Sequence, residues 1–126
     1  MEKLNHQEDI NKLMGPSIFI QKFGDSPMNR IMDFFMTFTN DELYLKEIAD
    51  KSGVSYSTIK LLAKELVKKE FIIHTKIIGK AKMYKLNKKN PFIKQFRNFY
   101  WDVTNLEVDK KIKEEELKEK EIKVKV

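Results

Sequence analysis

Apolar positions along the chain switch between a helical and an alternating period, and the switches mark its elements. In DSPMNRIMDFFMTF, Ile31, Phe34, Phe35 and Phe38 recur at helical spacing and define one apolar face. Asp25 or Ser26 can cap the first free N–H groups of that helix. Pro27 suits a first turn that needs no N–H. The helix stops before Thr39-Asn40-Asp41, and Leu43-Tyr44-Leu45 reads as a short extended piece. A second helix over residues 46–51 turns Ile48 and Ala49 inward. A turn over residues 52–55 follows, and Ser55 then caps a third helix running to about residue 69. Ile59, Leu62, Ala63 and Leu66 lie on its inner side. Residues 71–78 (FIIHTKII) are rich in β-branched side chains and predict a strand. A loop over 79–82 and a return strand over 83–86 complete a hairpin.

The order helix, short strand, helix, helix, hairpin predicts a winged helix-turn-helix: mainly α, with a small β-hairpin wing and an additional C-terminal helix. The unit spans residues 25–90. Residues 1–24 form an N-terminal arm, with a short helix over 5–14 stopped by Gly15-Pro16. Residues 17–23 (SIFIQKF) are apolar and fit either a strand or a helix. After Asn87 a last helix begins, with Asn90 as cap and Pro91 in its first turn. Its residues Phe92, Phe96, Phe99, Val103 and Leu106 are spaced 4, 3, 4 and 3, a heptad-like seam over 91–108. Tyr100, Trp101 and Ile93 widen that surface. The seam can pack on its own domain or on the same helix of a second subunit. So many aromatics exceed what a domain of this size buries against one helix, which favours a homodimer. Residues 109–126 (DKKIKEEELKEKEIKVKV) are mixed in charge. Ile112, Leu117 and Ile122 fall five apart and share no face, which predicts a fraying, solvated helical extension or tail.

Charge sharpens the picture. The formal net charge is +6, and residues 45–90 hold twelve lysines against four acids, while the remainder is slightly acidic. A basic segment on a near-neutral body suits a polyanionic partner, although the same lysines would also serve as a solvated surface. Arginine occurs twice, at Arg30 and Arg97, against 23 lysines. That bias, with many Ile, Phe and Asn, matches an A·T-rich coding sequence. Cysteine is absent, which excludes disulfides and thiolate metal sites. The polar start MEKLNHQEDINKLM lacks the apolar centre of a secretory signal, and no apolar run approaches transmembrane length. These features predict a soluble, cytoplasmic protein. The two histidines, His6 and His74, belong to no ligand cluster, and neither a phosphate-binding glycine loop nor a nucleophile motif occurs. The chain therefore carries no candidate for catalysis, metal or cofactor.

A helix-turn-helix needs a small residue where its helices nearly touch and a glycine of positive φ in the sharp turn. Ala49 and Gly53 are four apart, as that geometry requires, and Val54, Ile59 and Leu62 supply the contacts between the helices. With these residues in place, LKEIADKSGVSYSTIKLLAKELVKKEFII resembles the winged helix-turn-helix of prokaryotic transcription regulators, in the broad ArsR/MarR-like sense. The flanking FGDSPMNRIMDFF and MYKLNKKNPFIKQF look most like archaeal versions. The likeness covers residues 23–96. It implies a dimeric regulator that binds double-stranded DNA with the third helix in the major groove. The chain departs from the family at Leu61, where members often carry a basic or polar residue, and at Glu70, often a glycine.

On the third helix, Tyr56, Ser57, Lys60, Leu61 and Lys64 point away from the residues that must pack. Lys60 and Lys64 can reach phosphates or a guanine edge. Ser55, Ser57 and Thr58 can donate to phosphate near the helix N-terminus. Leu61 can touch thymine methyl groups in an A·T-rich site. Lys76, Lys80 and Lys82 in the wing neutralise backbone phosphate. The competing reading is a winged helix used as a protein–protein interaction module in a replication or transcription assembly.

Overall fold

A computed structural model describes residues 17–124. The predicted helix over residues 5–14 lies outside them. Eight elements follow in order: α1 (Ile18–Phe23), α2 (Pro27–Thr37), β1 (Leu43–Tyr44), α3 (Leu45–Ser52), α4 (Tyr56–Lys68), β2 (Ile72–Ile78), β3 (Ala81–Leu86) and α5 (Pro91–Val124). The ambiguous SIFIQKF segment is helical because Ser17 caps it, its hydroxyl accepting from the Ile20 N–H at 3.2 Å. Ser26, rather than Asp25, caps α2.

The strands form one antiparallel sheet in the order β1-β3-β2. Leu43 pairs with Tyr84 and Tyr44 with Met83, so the short strand is the third member of the wing sheet. Along β2, Ile72 faces Leu86 and Ile78 faces Ala81, with a bulge between His74 and Lys76. The return strand starts at Ala81 rather than Met83, which shrinks the predicted four-residue loop to Gly79-Lys80. Gly79 has φ +63°, and glycine at the first position of a two-residue turn follows the twist of the flanking strands.

The core is one cluster. Ile31, Phe34 and Phe35 of α2 pack with Ile48 and Ala49 of α3, Ile59, Ala63 and Leu66 of α4, and Ile72 and Leu86 of the sheet. Phe19 of α1 and Ile93 and Tyr100 of α5 close it from the other end. Phe19 meets Phe96 edge-on with ring centroids 5.4 Å apart. Tyr100 donates to Asp33 Oδ1 at 2.7 Å, and the Ser17 hydroxyl donates to the same oxygen at 2.6 Å. Burial, then the hydrogen bond to the Asp33 carboxylate and its charge, push the Tyr100 phenol well above its ordinary pKa, so it remains a donor.

The C-terminal helix is longer than a fraying tail. It continues unbroken to Val124, about 51 Å in all. No glycine or proline follows Pro91, and Lys, Glu and Leu favour the helix, which keeps it intact while residues 109–123 stay exposed. The ion pair formed there is Glu115–Lys118 at 3.9 Å.

Between α4 and β2 the chain turns on Glu70, which has φ +61°. This is the position where the resembling family often has glycine. The turn is held by Phe71 N–H to the Leu66 carbonyl at 2.9 Å. The Glu70 carbonyl in turn accepts from the amide groups of Asn87 and Asn90, each at 2.9 Å. A side chain in this left-handed conformation costs about 1 kcal/mol. Glu70→Gly is therefore expected to raise stability by about 1 kcal/mol, less the backbone entropy that glycine adds to the unfolded chain. The urea midpoint measures it, and a lower midpoint would show that the Glu70 side chain is not strained.

Candidate nucleic-acid interface

The helix-turn-helix is set by a close approach. Gly53 ends α3 with φ +73°, and a Cβ there would lie 3.1 Å from Arg30 Nη1. That same nitrogen donates to the Gly53 carbonyl at 2.9 Å. The other side of the guanidinium grips Asp25 through two bonds, with Nη2 to Oδ2 at 2.8 Å. The hydrogen bond from Arg30, opposed by slight desolvation and aided by its charge, holds the Asp25 carboxyl below the usual range. Arg30 thus ties the start of α2 to the turn that aims α4. Sequence reasoning missed this residue, because Asp25 and Gly53 come together only in three dimensions.

Ser55 then caps α4, accepting from the Thr58 N–H at 3.3 Å. Its own hydroxyl donates to Thr58 Oγ1 at 2.8 Å, which leaves the Thr58 hydroxyl proton to donate elsewhere. Tyr56, Ser57, Lys60, Leu61 and Lys64 all face solvent, Leu61 at 67% exposure. Lys60 Nζ sits 5.4 Å from the centre of the Tyr56 ring, a cation–π contact that orders both side chains.

Two open grooves join this face to the wing. One, about 430 Å³, lies between Lys60 and Lys64 of α4 and His74, Lys82 and Tyr84 of the sheet. The other, about 510 Å³, lies between Tyr56, Lys80, Lys82, Tyr84, Tyr44 and Lys46, with Glu47 and Asp50 on its α3 side. Lys82 and Tyr84 line both, so helix and wing form one continuous surface. His74 and Tyr84, opposite one another in the ladder, meet edge-on at 5.8 Å. Lys46, His74 and Tyr84 were not candidates from sequence, because only the sheet brings them beside α4. Lys76 is separate. The bulge before it turns its side chain to the other face of the sheet, opposite Met83, where it pairs with Glu42 at 3.3 Å.

No protein-family model matches the chain, and no curated protein matches it. Solved structures do. MepR, a transcription regulator of the Staphylococcus aureus multidrug efflux pump MepA, is 16% identical. The match covers 94% of this chain and 85% of MepR, with a TM-score of 0.56. The adhesin competence repressor AdcR from Streptococcus pyogenes is 18% identical, covering 95% of each chain with a TM-score of 0.53. ZitR from Lactococcus lactis in complex with DNA is 14% identical, covering 97% and 96%, with a TM-score of 0.50. The fold is that of MarR-like winged-helix regulators.

Within this winged helix the predicted dimer seam divides. Tyr100 is 5% exposed in the chain's own core and Phe96 is half-buried against Phe19, so both are spent inside the chain. Phe92, Phe99 and Leu106, seven residues apart, stay exposed at 73%, 42% and 70%. Val103 is half-buried, and Phe99 continues the patch onto the exposed Phe23 with ring centroids 5.3 Å apart. The 4-3 spacing merged two adjacent helix faces, one turned inward and one outward. Among the described residues no cluster of three or more His, Cys, Asp or Glu could hold a metal, and no helix is long and apolar enough to cross a membrane.

Arg30→Lys keeps the charge but loses the planar fork that holds Asp25 and Gly53 together. The Val54 amide, which bonds to the Ala49 carbonyl at 3.2 Å within this turn, is expected to exchange its hydrogen faster in the variant. Since the Asp25 pKa is lowered on folding, the wild-type fork holds at neutral pH and loosens as pH falls through that value. Unchanged exchange of Val54 in the variant would remove Arg30 from this role.

Proposed function

We propose that the protein is a DNA-binding transcription regulator acting as a homodimer, with α4 in the major groove and the lysine-bearing wing along the backbone. The observation that carries this reading is the single surface on which Tyr56, Lys60 and Lys64 of α4 converge with Lys80 and Lys82 of the wing. Lysines around two grooves supply affinity by neutralising phosphate, and helix dipole and Ser57 favour an anion at the α4 N-terminus. Lysine and leucine read sequence less sharply than arginine or glutamine. Leu61, at the centre of the exposed face, favours the methyl groups of thymine, so the site leans toward A·T. Lys76 contributes less than Lys80 and Lys82, because Glu42 already neutralises it. The likeness to ZitR, whose structure holds DNA, supports the reading. The cytoplasm is the compartment this function expects.

Binding to A·T-rich duplex is expected to fall steeply with salt. Lys60→Ala with Lys64→Ala should reduce the slope of log K against log[salt] by about two. Replacing thymine by uracil should weaken the wild type and leave Leu61→Ala unaffected. Duplex binding absent at low salt would defeat the regulator reading in favour of a protein–protein module. A salt slope unmoved by the lysine changes would remove α4 as the reader.

A second subunit would cover Phe92, Phe99 and Leu106 on α5 and present two copies of α4 to half-sites about one DNA turn apart. Phe99→Glu would bury a charge in that contact and should give monomers in sedimentation while the fold survives. A persistent dimer would move the interface elsewhere.

A further inference from the structure

The tip of the wing is apolar where a solvated hairpin would be polar. Ile77 and Ile78 are 57% and 51% exposed, although both are β-branched side chains at the end of a ribbon with no core beneath it. Opposite residues in an antiparallel ladder share a face and successive residues alternate. Ile77, opposite Lys82, therefore shares that lysine's face of the ribbon, and Ile78, opposite Ala81, lies on the other face. The turn between them is Gly79-Lys80, with nothing within 4 Å of where a Gly79 Cβ would stand. Lys80 lies in this turn and Lys82 just beyond it, and no acidic residue occurs in the sequence between Phe71 and Trp101. In space, Glu47 and Asp50 lie on the α3 side of the groove that these two lysines line.

An apolar point flanked by lysines fits a surface with anionic rims and an apolar interior. The minor groove of duplex DNA has that chemistry, with phosphates along its edges and sugar faces and base stacks within. It is also continuous with the surface proposed above, since Lys80 and Lys82 belong to both. A two-stranded ribbon is too broad to lie flat in a groove about 6 Å wide, so only tip side chains can enter. The wing has no arginine to read a narrowed groove by hydrogen bonds. Isoleucine enters in another way, as a wedge that partly unstacks a base step and kinks the duplex.

Resting on the DNA-binding reading, we propose that Ile77 and Ile78 act as an apolar wedge in the minor groove. The protein then selects its sites partly by how easily they bend, favouring flexible TA steps over stiff A-tracts. The wing lysines hold the flanking phosphates while the isoleucines replace stacking contacts that the kink removes.

The full chain is titrated into end-labelled A·T-rich duplexes whose central step is TA or lies in an A-tract. Energy transfer between the ends reports bending. The wild type should bend the TA duplex and prefer it. Ile77→Thr with Ile78→Thr keeps β-branching and hence the hairpin. It should leave the duplex straight and lose roughly tenfold in TA preference, at an unchanged salt slope. Lys80→Ala with Lys82→Ala should do the converse, lowering the slope while retaining the bend. Wild-type binding without bending, or a threonine variant that bends as well as the wild type, overturns the wedge and leaves DNA binding standing. No duplex binding at any salt overturns both, and only then would the isoleucines mark a protein partner.

Discussion

Asp33 is the residue on which the two ends of the molecule meet. Its carboxylate accepts from Ser17 at the start of α1 and from Tyr100 in the middle of α5, so three helices share one oxygen. Charged acceptors make stronger hydrogen bonds than neutral ones, and burial of the Tyr100 ring makes loss of that acceptor costly. One turn earlier on the same helix, Arg30 holds the carbonyl of Gly53. A single amphipathic helix therefore fixes the C-terminal helix with one side chain and the turn before α4 with another. The apolar face between them, Ile31, Phe34 and Phe35, is the centre of the core.

This arrangement separates the positions that pack from those that face outward. Ile59, Ala63 and Leu66, with Leu62 packed beside them, are spent on the core, which leaves Tyr56, Ser57, Lys60, Leu61 and Lys64 of α4 facing solvent. The sheet does the same with β3: Leu86 is buried, while Lys82 and Tyr84 stand beside α4. The short strand β1 gives β3 a second neighbour at Met83 and Tyr84, so the base of the wing is held from both sides while its tip is free.

In the proposed DNA complex the wing and α4 divide the physical labour of binding. Lysines give a long-range, salt-sensitive attraction that is indifferent to sequence. Under the proposed reading, sequence preference comes from short-range contacts that are mostly apolar, Leu61 in one groove and the wing isoleucines in the other. A surface with this composition would read thymine methyls and duplex flexibility rather than hydrogen-bond patterns. Such a division would let a chain with two arginines, neither of them lining these grooves, discriminate among sites.

Much of the fold was legible in the sequence because its signals are local. Ser26, Gly53, Ser55 and Asn90 cap or end helices through bonds within a few residues, and the period of α2 and α4 follows from which side chains must be buried. The outward positions of α4 were legible for the same reason. Distance in sequence hid the rest. Tyr100 read as part of a dimer seam until Asp33, 67 residues away, claimed it. Lys76 read as a wing cation until the bulge turned it toward Glu42, and Arg30 carried no assigned role until the fold brought Asp25 and Gly53 to it. Local spacing determines which faces a helix has, but the identity of the partner on each face depends on chain packing. Tertiary structure alone decided which aromatics of α5 are buried and which lysines share a surface with α4.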